Sequence, residues 1–291
     1  MNRFLLGAPA LFTLLSCASA TPPSPPPVAV TQAPRLSAPV EHALAVTEVR
    51  PSRKQVVQAI IPHTVRLVVS EGGKARRTAS GVVIGSERTP AGVSSYIITN
   101  AHAVEVDDLK DPKMVVTQEH QAEMTEYPVQ VVAVGQVPEM DLALLRVPGQ
   151  EMSPAELATD PELELGENVV VAACPFGKSL SLSGGMLSQV EWDHESKFPK
   201  MVKTDAPIGY GASGGGIFSL ETGKLLAIVE GYRTAKVGFA VADKDYSFDV
   251  PMPGETFAAP TSKVRRFLES KGYSRLLAHT SEGGSGQTAQ R

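Results

Sequence analysis

The sequence predicts an all-β fold, on three observations. Short segments rich in Val, Ile, Leu and Thr recur along the chain, Gly, Pro or Asp clusters punctuate them, and helical periodicity is confined to two flanking stretches. The strand-like segments are, in order, TVRLVVSE, ASGVVIGS, SSYIITNA, YPVQVVAVG, DLALLRVP, ENVVVAAC, LSQVEW, KLLAIVEGYR and KVGFAVA. Their regular spacing suits a barrel or a sandwich. One helix is expected over RKQVVQAII, ahead of the first strand. A second is expected over TSKVRRFLESKG, with Thr261 or Ser262 as its cap and Gly272 as its stop.

The chain has 291 residues, 42% of them hydrophobic and 20% charged, with a formal net charge of -4. That suits one large or two small globular domains with a sizeable core. Mild acidity and the lack of any long Lys/Arg run exclude an electrostatic footprint for nucleic acid. No cluster with metal-ligand spacing and no phosphate-binding glycine loop is evident, so no cofactor or metal is expected.

The N-terminus reads as an export signal over residues 1–17: Arg3, an apolar run from Phe4 to Leu15, then small residues. Leu14-Leu15-Ser16-Cys17 has the form of a lipobox, which would lipidate Cys17 and make it the new N-terminus. Ala18-Ser19-Ala20 is the competing ordinary cleavage site. Residues 18–52, dominated by Pro, Ala, Ser, Thr and Val, read as a disordered linker. In polyproline geometry about 30 residues reach on the order of 90 Å, enough to hold a domain clear of a membrane surface. The expected location is therefore the bacterial cell envelope, with the membrane contacted only through the lipid, or else a soluble periplasmic or secreted form. With Cys17 lipidated, Cys174 is left without a disulfide partner and reads as a small apolar residue at a strand end. Residues 279–291 read as a disordered tail.

The chemistry starts from GYGASGGGIF, one serine among glycines. A serine hydroxyl needs a base to take its proton, usually a histidine oriented by a carboxylate. Of the six histidines, His102 alone ends an apolar strand in a polar turn, SSYIITNAHAV, and Asp141 opens the strand DLALLRV. Singly, each has a structural reading: Ser213 in a turn, His102 at a strand end, Asp141 as a strand-starting cap. Together, TNAHAV, DLALLRV and GASGG run in the order His, Asp, Ser with strands between them. The G-x-S-x-G elbow of α/β-hydrolases runs Ser, acid, His, and after Ser213 only His279 remains, in a polar stretch; that reading is set aside.

From about Gln55 to Leu268 the chain resembles trypsin-like serine proteases, and within them the HtrA/Deg branch. QAIIPHTVRLVV resembles the opening segment, ASGVVIG with YIITNAHAV the histidine strand pair, and MDLALLRV the aspartate strand. ENVVVAACPFG with SGGMLSQV resembles the start of the second barrel, KTDAPIGYGASGGGIFS the serine loop, and FAAPTSKVRRFL the closing strand and helix. The resemblance implies a chymotrypsin-like fold of two six-stranded-type β-barrels over residues 53–278. Its site would lie in the cleft, with His102 and Asp141 from the first barrel and Ser213 from the second. It implies an oxyanion hole from the N–H groups of Gly211 and Ser213, and serine endopeptidase activity on polypeptides, misfolded envelope proteins among them.

The departures from the family are informative. Ala212 stands where relatives carry Asp or Asn, so a side-chain bond that would fix the oxyanion loop is missing; this supports the alternative of an inactive protease fold kept as a binding or chaperone-like module. Gly216 replaces the more usual Pro or Ala. Pro207 stands where enzymes selecting basic residues carry an aspartate, so a small or medium apolar residue is expected at the cleavage point. The pocket walls would come from Pro207, Ile208, Gly209, Tyr210, Val229, Glu230 and Gly231, with Glu230 read as facing solvent. No PDZ domain is expected after the final helix. A homotrimer built on protease-domain contacts is compatible with the sequence, which carries no signal for it.

Overall fold

Ser52 opens the first helix, α1 (Arg53–Ile60), through a reciprocal capping box with Gln55. The structure, a computed structural model, describes residues 51–90, 92–120, 123–241 and 244–280. The expected export signal, Cys17, nearly all of the expected linker, and the expected tail from residue 281 lie outside them. The described residues belong to one unit of the chain.

The first half contains β1 (Thr64–Glu71), β2 (Lys74–Thr89), β3 (Gly92–Thr99), β4 (Lys113–His120), β5 (Glu123–Pro128), β6 (Gln130–Val134) and β7 (Ala143–Pro148). They form one sheet in the order β5-β4-β1-β2-β3-β7-β6. Cα atoms of β5 and β7 approach within 8 Å, so the sheet curls on itself. The second half contains β8 (Asn168–Ala173), β9 (Ser181–Trp192), β10 (Pro199–Thr204), β11 (Gly216–Ser219), β12 (Leu225–Val241) and β13 (Lys244–Pro260). These close into a barrel in the order β10-β13-β12-β11-β8-β9. Every ladder between these strands is antiparallel. The predicted all-β, double-barrel class is what the chain adopts, with its first barrel in the form of a curled seven-stranded sheet.

Three apolar cores follow from this layout. Val65, Leu67, Ile97 and Leu145 fill the first sheet, and Val169, Val171, Ile217 and Val229 fill the closed barrel. A third core joins the halves: Val82, Ile84 and Ile98 meet Val170, Phe218 and Ile228, and α2 (Thr261–Ser270) seals it with Val264, Phe267 and Leu268. Phe267 is fully buried there, so truncating it to alanine would cost about 3–5 kcal/mol. Among the described residues no helix is long and apolar enough to cross a membrane.

Several elements differ from the sequence reading. The cap of α2 is Pro260, with no side-chain bond; Thr261 lies inside the helix and its hydroxyl donates to the Ala158 carbonyl. Gly272 does mark the helix end, at φ +78°. KLLAIVEGYR and KVGFAVA belong to one strand, β12, because β13 accompanies both and absorbs the irregularity as ladder shifts at 229/231 and 232/234. The strands β4 and β10 were not foreseen; KMVVTQEH and PKMVKT mix charged and apolar residues too closely for their period to stand out.

Candidate active site

The turn after β3 places His102, and the residue pair before β7 places Asp141. His102 Nδ1 lies 2.6 Å from Asp141 Oδ2, and the His102 backbone N–H donates to Asp141 Oδ1 at 3.0 Å. A carboxylate only accepts, so Nδ1 carries the proton and Nε2 is left as the acceptor. Asn100, fully buried, donates its side-chain amide to the Asp141 carbonyl at 2.8 Å and fixes the aspartate's backbone. Hydrogen bonding to Asp141 holds the His102 pKa above its usual value, against the opposing effect of burial. Burial pushes Asp141 upward, but the two bonds and the charge of His102, with the Ala101 N–H, together outweigh it and leave the carboxyl below its usual range.

Ser213 sits in the loop before β11. Its hydroxyl donates to the Glu230 carbonyl at 3.4 Å, a long bond, and among the described residues none joins it to His102. Glu230 relates to both: its carbonyl accepts from Ser213, and its carboxyl feels the charges of Asp141 and His102.

The loop folds inward at Ala212. That residue is fully buried in the barrel core, where a polar side chain would have no water. Ser80 of β2, also fully buried, takes over the fastening. Its N–H donates to the Ser213 carbonyl at 2.8 Å, its hydroxyl donates to the Gly211 carbonyl at 2.8 Å, and that hydroxyl accepts from Cys174 N–H at 2.8 Å. Thr99 in turn donates to the Ser80 carbonyl at 2.7 Å. Gly214, at φ +82°, passes so close to that carbonyl that a Cβ would collide with it.

The same fastening leaves two donors unspent. Ala212 N–H goes to the Gly209 carbonyl, and Gly214 N–H to the Val229 carbonyl, but among the described residues Gly211 and Ser213 N–H have no protein acceptor. The Tyr210 carbonyl is taken by Phe176 N–H. Since the N–H of a trans peptide points opposite to its C=O, Gly211 N–H is aimed away from Phe176. Two free backbone donors flanking a serine can stabilise an oxyanion.

Beside Ser213 lies a cavity of about 320 Å³, lined by Ile208, Gly209, Tyr210, Gly211, Glu230 and Gly231, and also by Tyr232, Thr234 and Phe257. Two residues expected in its wall are elsewhere. Val229 turns into the barrel core, as alternation along β12 requires once Glu230 faces outward. Pro207 lines a neighbouring hollow with Phe176 and Ala212. Glu230 is not solvent-facing: its side chain is 12% exposed and pairs at 2.9 Å with Lys263 of α2, itself 11% exposed. Burial raises the Glu230 pKa, with Lys263 opposing. Tyr232, Thr234 and Phe257 escaped the sequence reading because only the β12–β13 register brings them beside Ser213. Cys174 is a buried free thiol whose pKa burial pushes up to about 12. Among the described residues no group of three His, Cys, Asp or Glu side chains could hold a metal ion.

Comparison with known proteins places this geometry in context. Residues 79–228, just over half of the chain, match the family described as "Trypsin-like peptidase domain"; the match includes His102, Asp141 and Ser213 and stops within β12. A "Probable periplasmic serine endoprotease DegP-like" from Ectopseudomonas mendocina is 27% identical over 203 residues, covering 69% of this chain and 38% of the relative. Its counterpart in Pseudomonas fluorescens is 27% identical over 195 residues, covering 66% and 37%. The chain thus spans well under half the length of these relatives. Among solved structures, a serine endoprotease from Yersinia pestis superposes with a TM-score of 0.54 at 21% identity, covering 79% of this chain and 68% of that one. Deg5 superposes with a TM-score of 0.53 at 22% identity, covering 74% and 91%.

Proposed function

Starting from the chain's membership of the trypsin-like peptidase domain family, we propose that it is a serine endopeptidase acting on polypeptides in the bacterial cell envelope. One observation carries the reading: His102 is locked by Asp141 with Nε2 free, and Ser213 stands in a loop with two unspent donors, Gly211 N–H and its own. In the reaction the Ser213 hydroxyl leaves the Glu230 carbonyl, passes its proton to His102 Nε2 and attacks the peptide carbonyl. The resulting oxyanion is held by the Gly211 and Ser213 N–H groups. His102 then protonates the departing amine, and a water activated the same way releases the acyl group from Ser213. Asp141 keeps the imidazole in the needed tautomer and stabilises its positive form.

The cavity beside Ser213 takes the side chain preceding the scissile bond. Ile208, Tyr232 and Phe257 give it apolar walls, and Glu230 offers no unpaired charge because Lys263 holds it. An apolar residue is therefore preferred there over Lys or Arg. Peptides differing at that one position measure this directly, and faster cleavage after lysine would refute it. The active domain runs over residues 53–278, and lipidated Cys17 tethers it to the membrane through the linker. Mass spectrometry of the mature N-terminus decides that point: an acylated Cys17 supports the tether, a free Thr21 removes it.

A second reading, a binding module on a protease fold, draws on the direction of the Ser213 hydroxyl, towards Glu230. Fluorophosphonate labelling separates the two. Labelling that vanishes in Ser213→Ala, together with a loss of peptide hydrolysis of about 10⁶-fold, supports the peptidase. A folded protein that takes no label supports the binder.

A further inference from the structure

Beyond the barrel, β12 and β13 continue together as a two-stranded arm. From Thr234 opposite Pro251 to Val241 opposite Lys244 they pair in unbroken register. β11 accompanies β12 only as far as Ile228, and β10 accompanies β13 only from Thr256 to Ala258. Both arm edges are therefore without a strand partner among the described residues. Pro251 has no N–H to give, so Thr234/Pro251 is a non-hydrogen-bonded pair. Alternation then makes Lys236, Gly238 and Ala240 the residues whose N–H and C=O face the outer edge of β12.

One face of the arm is apolar and open to water. Val237 lies opposite Phe248 and Phe239 opposite Tyr246, with exposures of 42, 52, 48 and 48%. Phe239 stacks on Tyr246 at 5.6 Å and meets Phe248 edge-on at 6.0 Å. The other face carries Lys236, Asp245, Ser247 and Asp249. A ribbon of two strands is marginal in water by itself, so an uncovered aromatic face calls for an occupant.

Two observations select that occupant. The arm's apolar face, about eight residue pairs long, measures roughly 26 by 10 Å, far below the ~800 Å² per partner of a stable protein pair. An arm-on-arm dimer is thus too small to stand alone. The outer edge of β12, in contrast, is continuous with the site: Glu230 accepts from the Ser213 hydroxyl, Tyr232 and Thr234 line the cavity, and the arm follows in the same strand beyond the ladder shift at 232/234. We propose that the arm is a docking surface for the substrate itself. The stretch N-terminal to the scissile bond adds as an antiparallel strand to Lys236–Ala240 and lays apolar side chains beside Val237 and Phe239. An extended, unfolded chain with aromatic or branched apolar residues several positions before the cleavage point would be favoured over a folded one. This inference rests on the peptidase reading.

The test compares a long unfolded polypeptide with a four-residue chromogenic peptide in wild type and in Phe239→Ser/Phe248→Ser. Fluorophosphonate labelling rate shows that the variant is folded. The expected result is a fall of about tenfold or more in kcat/KM for the long substrate, with the short one within twofold. Equal falls for both, or none for either, would overturn the docking role. Binding of a labelled fifteen-residue apolar peptide to Ser213→Ala protein, followed by anisotropy, needs no catalysis. Binding that weakens with the arm variant upholds docking even where the peptidase reading fails; unchanged binding refutes it. Light scattering supplies the last arm: a drop in mass on mutating the arm would assign the face to a second copy and overturn the proposal.

Discussion

On the first sheet, Asp141 grips His102 by two hydrogen bonds, one of them 2.6 Å long, while Asn100 secures the aspartate from behind. In the barrel, the Ser213 hydroxyl makes one 3.4 Å bond to a carbonyl, and its loop is tied down from outside by Ser80, a residue of the first sheet. The His102–Asp141 half is complete within its own sheet; the Ser213 half borrows its shape. Mutations on the first half should therefore act on protonation, and those at the junction on positioning.

Asp141→Asn gives the largest departure from that pattern, a fall in kcat of about 10⁴ with the fold intact, because the amide favours the wrong imidazole tautomer. Steady-state kinetics on a short peptide check it; a fall of less than tenfold would break the contrast. Next comes Ser80→Ala, which leaves the Gly211 carbonyl and Cys174 N–H without a partner. Misplacing one oxyanion donor is worth about 10² in rate, so kcat should fall by that order with KM little changed. The variant should also melt earlier, by the ~1–3 kcal/mol of an unsatisfied buried group. A KM effect with normal kcat would show that Ser80 only supports the fold.

The pH profile is gentler. On the peptidase reading His102 must be neutral to act as base, and its pKa is raised, so kcat/KM should fall tenfold per unit on an acid limb whose midpoint lies above 6.5. In stability the pair works in both directions. The raised His102 contributes fully below 6.5 and is lost as pH climbs through its folded value. The lowered Asp141 contributes above 3.8 and is lost as pH drops through its own folded value. Thermal melts against pH should show this pair's contribution greatest between those two points. The smallest effect is at Cys174: with its pKa near 12, the folded protein should resist iodoacetamide at neutral pH, and alkylation should follow unfolding. Rapid labelling of the native protein would show that the barrel opens there.

His102, Asp141 and Ser213 can be singled out in the sequence because each ends or begins a strand inside a short local pattern: TNAHAV, DLALLRV, GASGG. The sequence was silent on Ser80, since a serine in ASGVVIG looks like any strand serine until its Gly211 partner, 131 positions away, is known. Glu230 misled for a related reason. Its outward alternation was readable, but Lys263, which covers it, arrives from α2 across the fold. The arm was hidden by a local break: TA between Arg233 and Lys236 reads as the end of one strand and the start of another, and only the accompanying β13 shows the run to be continuous.

The Ser80 clasp has a bearing on how the chain is made. Synthesis delivers the first sheet ahead of the barrel, and at that stage His102 and Asp141 stand without the Ser213 loop. A barrel folding by itself would hold Ser213 in a loop whose Gly211 and Ser213 carbonyls lack the Ser80 bonds. The clasp closes only when the two halves dock, so on the peptidase reading a chain still being made has no assembled site with which to cut itself.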